Sequence, residues 1–76
     1  MKISDVVRMA LVRGGKNQVE LMRFFGMSTP SAMGNKFSRG SWSANDLAKV
    51  AAFTGGKLVI RYPDGMEIPV NPEDAE

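Results

Sequence analysis

Gly26-Met27-Ser28 is the entire connection between two short apolar segments, and no other feature of the 76 residues restricts the fold as much. A three-residue link that opens with glycine forces the segments on either side, if helical, to cross sharply. Both flanks carry the marks of helices. Upstream, Asn17 is followed three residues later by Glu20, a capping-box pattern, and Val19, Leu21, Met22, Phe24 and Phe25 supply apolar surface. Downstream, Thr29-Pro30 is a cap residue followed by proline at the first helical position, where the missing N–H costs nothing. Met33 and Phe37 are four apart and face the same way, and Gly40 ends the segment.

Two more helices are expected. The first runs from about Ser4, read as its N-cap, to Arg13, with Ile3, Val6, Val7, Ala10 and Leu11 on one face and Gly14-Gly15 as its stop. The last begins at Ser43, with Asp46 three residues on and Trp42 and Leu47 at the staple positions either side of the cap. Leu47, Val50, Ala51 and Phe53 form its buried stripe, and Gly55-Gly56 closes it. The period then changes to alternation: Leu58, Ile60 and Tyr62 on one face, Val59 and Arg61 on the other. Pro63-Asp64-Gly65 is a turn, and Met66, Ile68 and Val70 resume the pattern. Pro69 cannot donate to a ladder and marks the second strand as an edge. The expected architecture is mainly α: one four-helix domain over residues 1–70, ending in a β-hairpin at 57–70. The acidic stretch 71–76 is read as a disordered tail. Gly34, inside the third helix, costs about 1 kcal/mol relative to alanine, so a close backbone approach or an overridden propensity is expected there.

Composition narrows the function. The chain has no cysteine and no histidine, which removes disulfides, thiolate metal sites, the commonest metal ligand and the commonest general base. One small domain leaves little room for a catalytic pocket, so neither an enzyme, a cofactor, a metal nor a small-molecule ligand is expected. No apolar run reaches the ~20 residues of a membrane span. Asp5, Arg8 and Arg13 interrupt any apolar core of a leader over the first sixteen residues, and a cytoplasmic location follows as the expectation. The net charge of +2 conceals an asymmetry: all ten Lys and Arg lie in residues 1–70, whereas Glu73, Asp74 and Glu76 make the final stretch acidic. A basic body suits an anionic partner.

With Met33 and Phe37 turned inward, a helical wheel places Ser31, Ala32, Asn35, Ser38 and Arg39 on the opposite side of the third helix. That face is small and polar, with nothing bulky to keep it out of a DNA major groove. Asparagine can pair bidentately with adenine, and serine can donate to or accept from either base type.

Gln18-Val19-Glu20-Leu21, Phe25-Gly26-Met27-Ser28, Thr29 through Phe37 and Asp46-Leu47-Ala48-Lys49-Val50-Ala51 together resemble the Cro/repressor (XRE-type) helix-turn-helix family over residues 4–56. The resemblance implies a four-helix repressor-like domain that binds double-stranded DNA as a transcriptional regulator of phage or prophage type. It implies base reading by Ser31, Asn35 and Ser38. It also implies phosphate contacts at Gln18 and Arg39, with Thr29 and Lys36 beside them. Two positions depart from the family pattern. Met22 stands where a small alanine is usual between the two motif helices, and a hairpin stands where many members add a fifth helix.

One recognition helix covers only a few base pairs, so a homodimer on an inverted-repeat operator is expected. The hairpin carries more apolar residues than one covered face requires, and Leu58, Val59, Ile60, Tyr62 and Ile68 are its candidate dimer contacts. The rival expectation is a protein-interaction module on the same fold, antitoxin-like or a phage-encoded inhibitor.

Overall fold

In the computed structural model, which describes residues 1–73, four helices precede one antiparallel hairpin: α1 (Ile3–Gly14), α2 (Gln18–Phe24), α3 (Pro30–Arg39), α4 (Ala44–Phe53), β1 (Leu58–Arg61) and β2 (Glu67–Val70). The helix boundaries follow from local chemistry. Two reciprocal capping boxes form. The Asn17 side chain accepts from the Glu20 N–H at 2.8 Å while the Asn17 N–H donates to the Glu20 carboxylate at 2.9 Å. Ser43 and Asp46 repeat the arrangement at 3.0 Å in both directions. Each box satisfies two helix-terminal groups that would otherwise lack partners. Thr29 accepts from the Ala32 N–H at 3.3 Å, with Pro30 in the first turn of α3. Gly26 has φ +75°, the left-handed conformation that lets the chain turn out of α2 within three residues.

The core is built from one or two residues of each helix: Val7 and Leu11 from α1, Leu21 from α2, Met33 and Phe37 from α3, and Val50 from α4. Leu21 and Met33 are fully buried and fill the contact between the two crossing helices. Met22, at the position that is small in the Cro-like pattern, lies half-buried against the rim of this cluster, so α2 and α3 meet without burying it. Leu47 is half-buried rather than central. Aromatic rings surround the cluster. Trp42 packs edge-on against Phe37 (5.0 Å between centroids) and Phe25 (6.3 Å), and Phe24 stacks on Phe53 at 4.5 Å. The ends of α1 and α4 come so close that a Cβ on Gly14 would sit 2.8 Å from the Cβ of Thr54, which only glycine avoids.

Helix α1 differs from its sequence reading in two ways. Its N-cap is Lys2, which makes no side-chain cap. Ser4 instead lies within the helix and is buried, donating to the Phe37 carbonyl at 2.8 Å and accepting from the Trp42 indole N–H at 3.0 Å. The burial of these two partners decides its role, because an unsatisfied buried polar group costs more than a lost exposed cap. The expected apolar face is also too wide: Val7 and Leu11 are buried, but Ile3 is 43% and Val6 42% exposed.

The hairpin pairs Leu58 with Val70, Val59 with Pro69, Ile60 with Ile68 and Arg61 with Glu67. Asp64 accepts from the Met66 N–H at 2.9 Å, and the Gly65 N–H donates to the Tyr62 carbonyl at 2.9 Å, which closes the turn. Among the described residues the sheet has two strands. Both strands touch α4, and the turn end projects away from the helices with Ile60, Tyr62, Met66 and Ile68 exposed. The stretch expected to be disordered is seated at its start, where the Glu73 N–H donates to the Asn45 side chain at 2.7 Å; Asp74, Ala75 and Glu76 lie outside the described residues.

Among the described residues no helix is long and apolar enough to cross a membrane, and no cluster of acids could hold a metal ion.

Candidate nucleic-acid interface

Helix α3 turns Met33 and Phe37 into the core, and the pitch of 3.6 residues then fixes what remains outside. Ser31, Ala32, Asn35, Ser38 and Arg39 are all exposed. The three polar residues expected to read bases, Ser31, Asn35 and Ser38, therefore share one face of a single rigid helix. Each turn of that helix advances about 5.4 Å, so the face presents three short hydrogen-bonding side chains in a row.

Gln18 and Thr29, expected to hold phosphates, are exposed at the N-terminal ends of α2 and α3. The Thr29 oxygen already accepts from its own helix; its hydroxyl proton remains a donor. Arg39, in the last turn of α3, is exposed and has no ion-pair partner among the described residues.

Lys36 is placed differently from the phosphate-facing position expected of it. Its ammonium lies 2.8 Å from the Asp46 carboxylate, donates to the Ser41 carbonyl at 2.8 Å, and sits 5.4 Å from the centre of the Trp42 ring. Three internal partners hold it, and its side chain is only 17% exposed. Burial pushes the Asp46 carboxyl up, but the hydrogen bond and charge of Lys36 and the Ser43 N–H outweigh that, so its pKa lies below the ordinary carboxylate value. The pair ties α3 to the first turn of α4 and fixes the loop between them.

Two cations that the sequence reading did not single out complete the surface. Lys2 and Arg8 line a cleft of about 620 Å³ between the start of α1 and the end of α3, together with Ser38 and Arg39. Arg8 stands over the Phe37 ring at 4.9 Å and pairs with Asp5 at 3.1 Å, so it is positioned, and Lys2 is exposed. No motif in the sequence marks these two residues; they join the site because α1 crosses the end of α3. The resulting surface has a small polar face in the middle, donors from Gln18 and Thr29 at one edge, and Lys2, Arg8 and Arg39 at the other. It can accept a polyanion whose edges carry hydrogen-bonding groups.

Four of the five candidate dimer contacts, Leu58, Ile60, Tyr62 and Ile68, fall on one hairpin face, and Val59 falls on the other. Ile60, Tyr62 and Ile68 are exposed, with Ile60 and Ile68 paired on one hairpin face, whereas Leu58 and Val59 are half-buried. Val59 pairs with Pro69 on the opposite face.

Compared with known protein families, curated proteins and solved structures, the chain matches none.

Proposed function

We propose that this chain is a sequence-specific double-stranded DNA-binding regulator of the Cro/repressor helix-turn-helix type, which docks α3 in the major groove and acts as a dimer. The observation that carries the reading is the outward face of α3: Ser31, Asn35 and Ser38 exposed together, no large apolar side chain among them, and Arg39 at the end. A major groove about 12 Å wide admits a helix with such a face. Asn35, at its middle, pairs with adenine. Gln18 and Thr29 hold phosphates on one side, and Arg39 with Lys2 on the other. A dimer places two such helices about 34 Å apart, one turn of DNA, so operators are inverted repeats.

Selection of bound sites from random duplex, followed by anisotropy titrations on the winner, tests this. Asn35→Ala lowers affinity for the selected site by about 1–3 kcal/mol and for random DNA far less. An unchanged preference among sites would place the reading face elsewhere.

A second reading is favoured by a different observation. Met9 and Val12 on α1 are 58% and 80% exposed, an apolar surface suited to another protein. On that reading the domain is an interaction module, antitoxin-like or inhibitory, and it captures one protein partner with little dependence on salt. DNA binding instead weakens steeply as salt rises.

A further inference from the structure

Leu58 alternates with Ile60 along β1, and the register sets Val70 and Ile68 opposite them, so all four share one hairpin face. Tyr62 and Met66 carry that face to the turn, linked by a 2.8 Å bond from the Tyr62 N–H to the Met66 carbonyl. Ile60, Tyr62, Met66 and Ile68 are 51%, 44%, 57% and 40% exposed. Four large apolar side chains side by side on a projecting hairpin form a contiguous patch of the kind that marks an interface.

The base of the same face runs into a groove of about 380 Å³ between α1 and α4, walled by Val6, Ala10, Leu47, Val50 and Leu58. Arg13 and Lys57 border it, exposed and without ion-pair partners among the described residues. The hairpin is thus an apolar strip that ends in an acid, Asp64. The groove is an apolar trough that ends in two cations.

We propose that these two features bind each other between two copies of the chain. The hairpins lie antiparallel, and the turn of each seats at the basic mouth of the other's groove. The inference rests on the dimeric form of the function proposed above and names the surface that forms it. Symmetry makes the fit testable residue by residue. A two-fold axis at Ile60 reverses the strand direction, so residues equally far on either side of it come level. The partner's Tyr62 then stands level with Leu58, at the wall of the groove. The partner's Asp64 stands level with Gly56, beside Lys57 and across from Arg13. Ile60 and Ile68 meet their own copies at the axis. Apolar side chains cover apolar side chains along the whole strip, and the one acid meets the two cations.

Sedimentation equilibrium on the full chain without DNA reads the association directly. Asp64→Lys weakens the dimer by roughly tenfold or more, because like charges now face each other across the contact. The double variant Arg13→Glu with Lys57→Glu does the same, and the triple variant combining all three changes recovers the dimer. Ile60→Asp gives monomers. All of these positions are exposed, and circular dichroism melts establish that each variant is folded. Charge variants that leave the dissociation constant unchanged while Ile60→Asp abolishes association would overturn the seating in the groove. A wild-type chain that stays monomeric at ~100 µM would overturn the dimer surface altogether. DNA anisotropy on a single half-site, run on the same samples, shows separately whether the DNA reading survives.

Discussion

The indole N–H of Trp42 donates to the hydroxyl of Ser4, 38 residues away, and the same hydroxyl donates onward to the carbonyl of Phe37. That carbonyl belongs to the last turn of α3, where backbone acceptors have no partner within the helix. One small side chain on α1 therefore satisfies the end of the candidate recognition helix and anchors the aromatic residue that follows it.

Ser4→Ala removes the shared hydroxyl and leaves the buried Phe37 carbonyl and the half-buried Trp42 N–H without their partner. The expected loss is about 1–3 kcal/mol in a urea melt. Trp42→Phe removes the donor as well as packing, but Ser4 keeps its bond to Phe37. Because both changes touch the same hydroxyl, the double variant costs less than the two single losses added. Strict additivity, or a Ser4→Ala variant as stable as the wild type, would show that this bond holds nothing in place.

The Lys36–Asp46 pair makes stability depend on pH with a defined sign. The Asp46 carboxyl has a folded-state pKa below its unfolded value, and the unfolded value is about 3.9. Its contribution is whole above that value, shrinks as pH falls below it, and is gone once pH has passed the lower folded pKa. Asp46→Asn keeps an acceptor for the Ser43 N–H and loses the charge facing Lys36. This variant is less stable than the wild type at pH 7, and the gap narrows toward pH 3. A gap that stays constant from pH 7 to pH 3 would mean that the carboxylate charge contributes nothing.

Gly34 lies in the middle of α3, and a Cβ built there meets nothing within 4 Å. No close backbone approach requires the glycine. Gly34→Ala raises stability by about 0.5–1 kcal/mol through helix propensity and a less flexible unfolded chain. A thermal melt checks this, and a lowered midpoint would reveal a steric conflict.

What the sequence disclosed was local, and what it withheld was tertiary. The capping boxes at Asn17 and Ser43, the Thr29-Pro30 start and the hairpin's alternation and turn depend on residues a few positions apart, and each is legible in the sequence alone; the strand register is not, and comes from the pairing of Leu58 with Val70. The outward face of α3 was legible too, because burying Met33 and Phe37 fixes the rest of a helix. Ser4 was misread as a cap because its partners lie 33 and 38 residues away. Lys36 was assigned to DNA because nothing near it in the chain shows that the following loop brings Asp46 back to it. Ile3 and Val6 fit the apolar period, but only the packing of α1 against α4 decides how wide a stripe is covered. Lys2 and Arg8 are not marked as interface residues for the same reason, since their place beside Arg39 exists only after α1 crosses α3.

The contrast between Lys36 and Arg39 gives a quantitative test of the proposed DNA contact. Both are basic residues of α3, three apart, yet Lys36 is held by Asp46, Ser41 and Trp42 while Arg39 is exposed and unpaired among the described residues. A side chain that neutralises a phosphate releases a counterion, and each such contact adds about 0.9 to the steepness with which log affinity falls against log salt. Arg39→Ala therefore weakens binding to selected and random duplex alike and flattens that slope by nearly one unit per site. Lys2→Ala acts in the same direction. Lys36→Met leaves the slope unchanged, because its ammonium never displaced a counterion from DNA; instead it lowers stability through the loss of Asp46's partner. Anisotropy titrations from 50 to 200 mM salt on the three variants, each with a melt alongside, separate these outcomes. A flattened slope for Lys36→Met with unaltered stability would move Lys36 back onto the DNA.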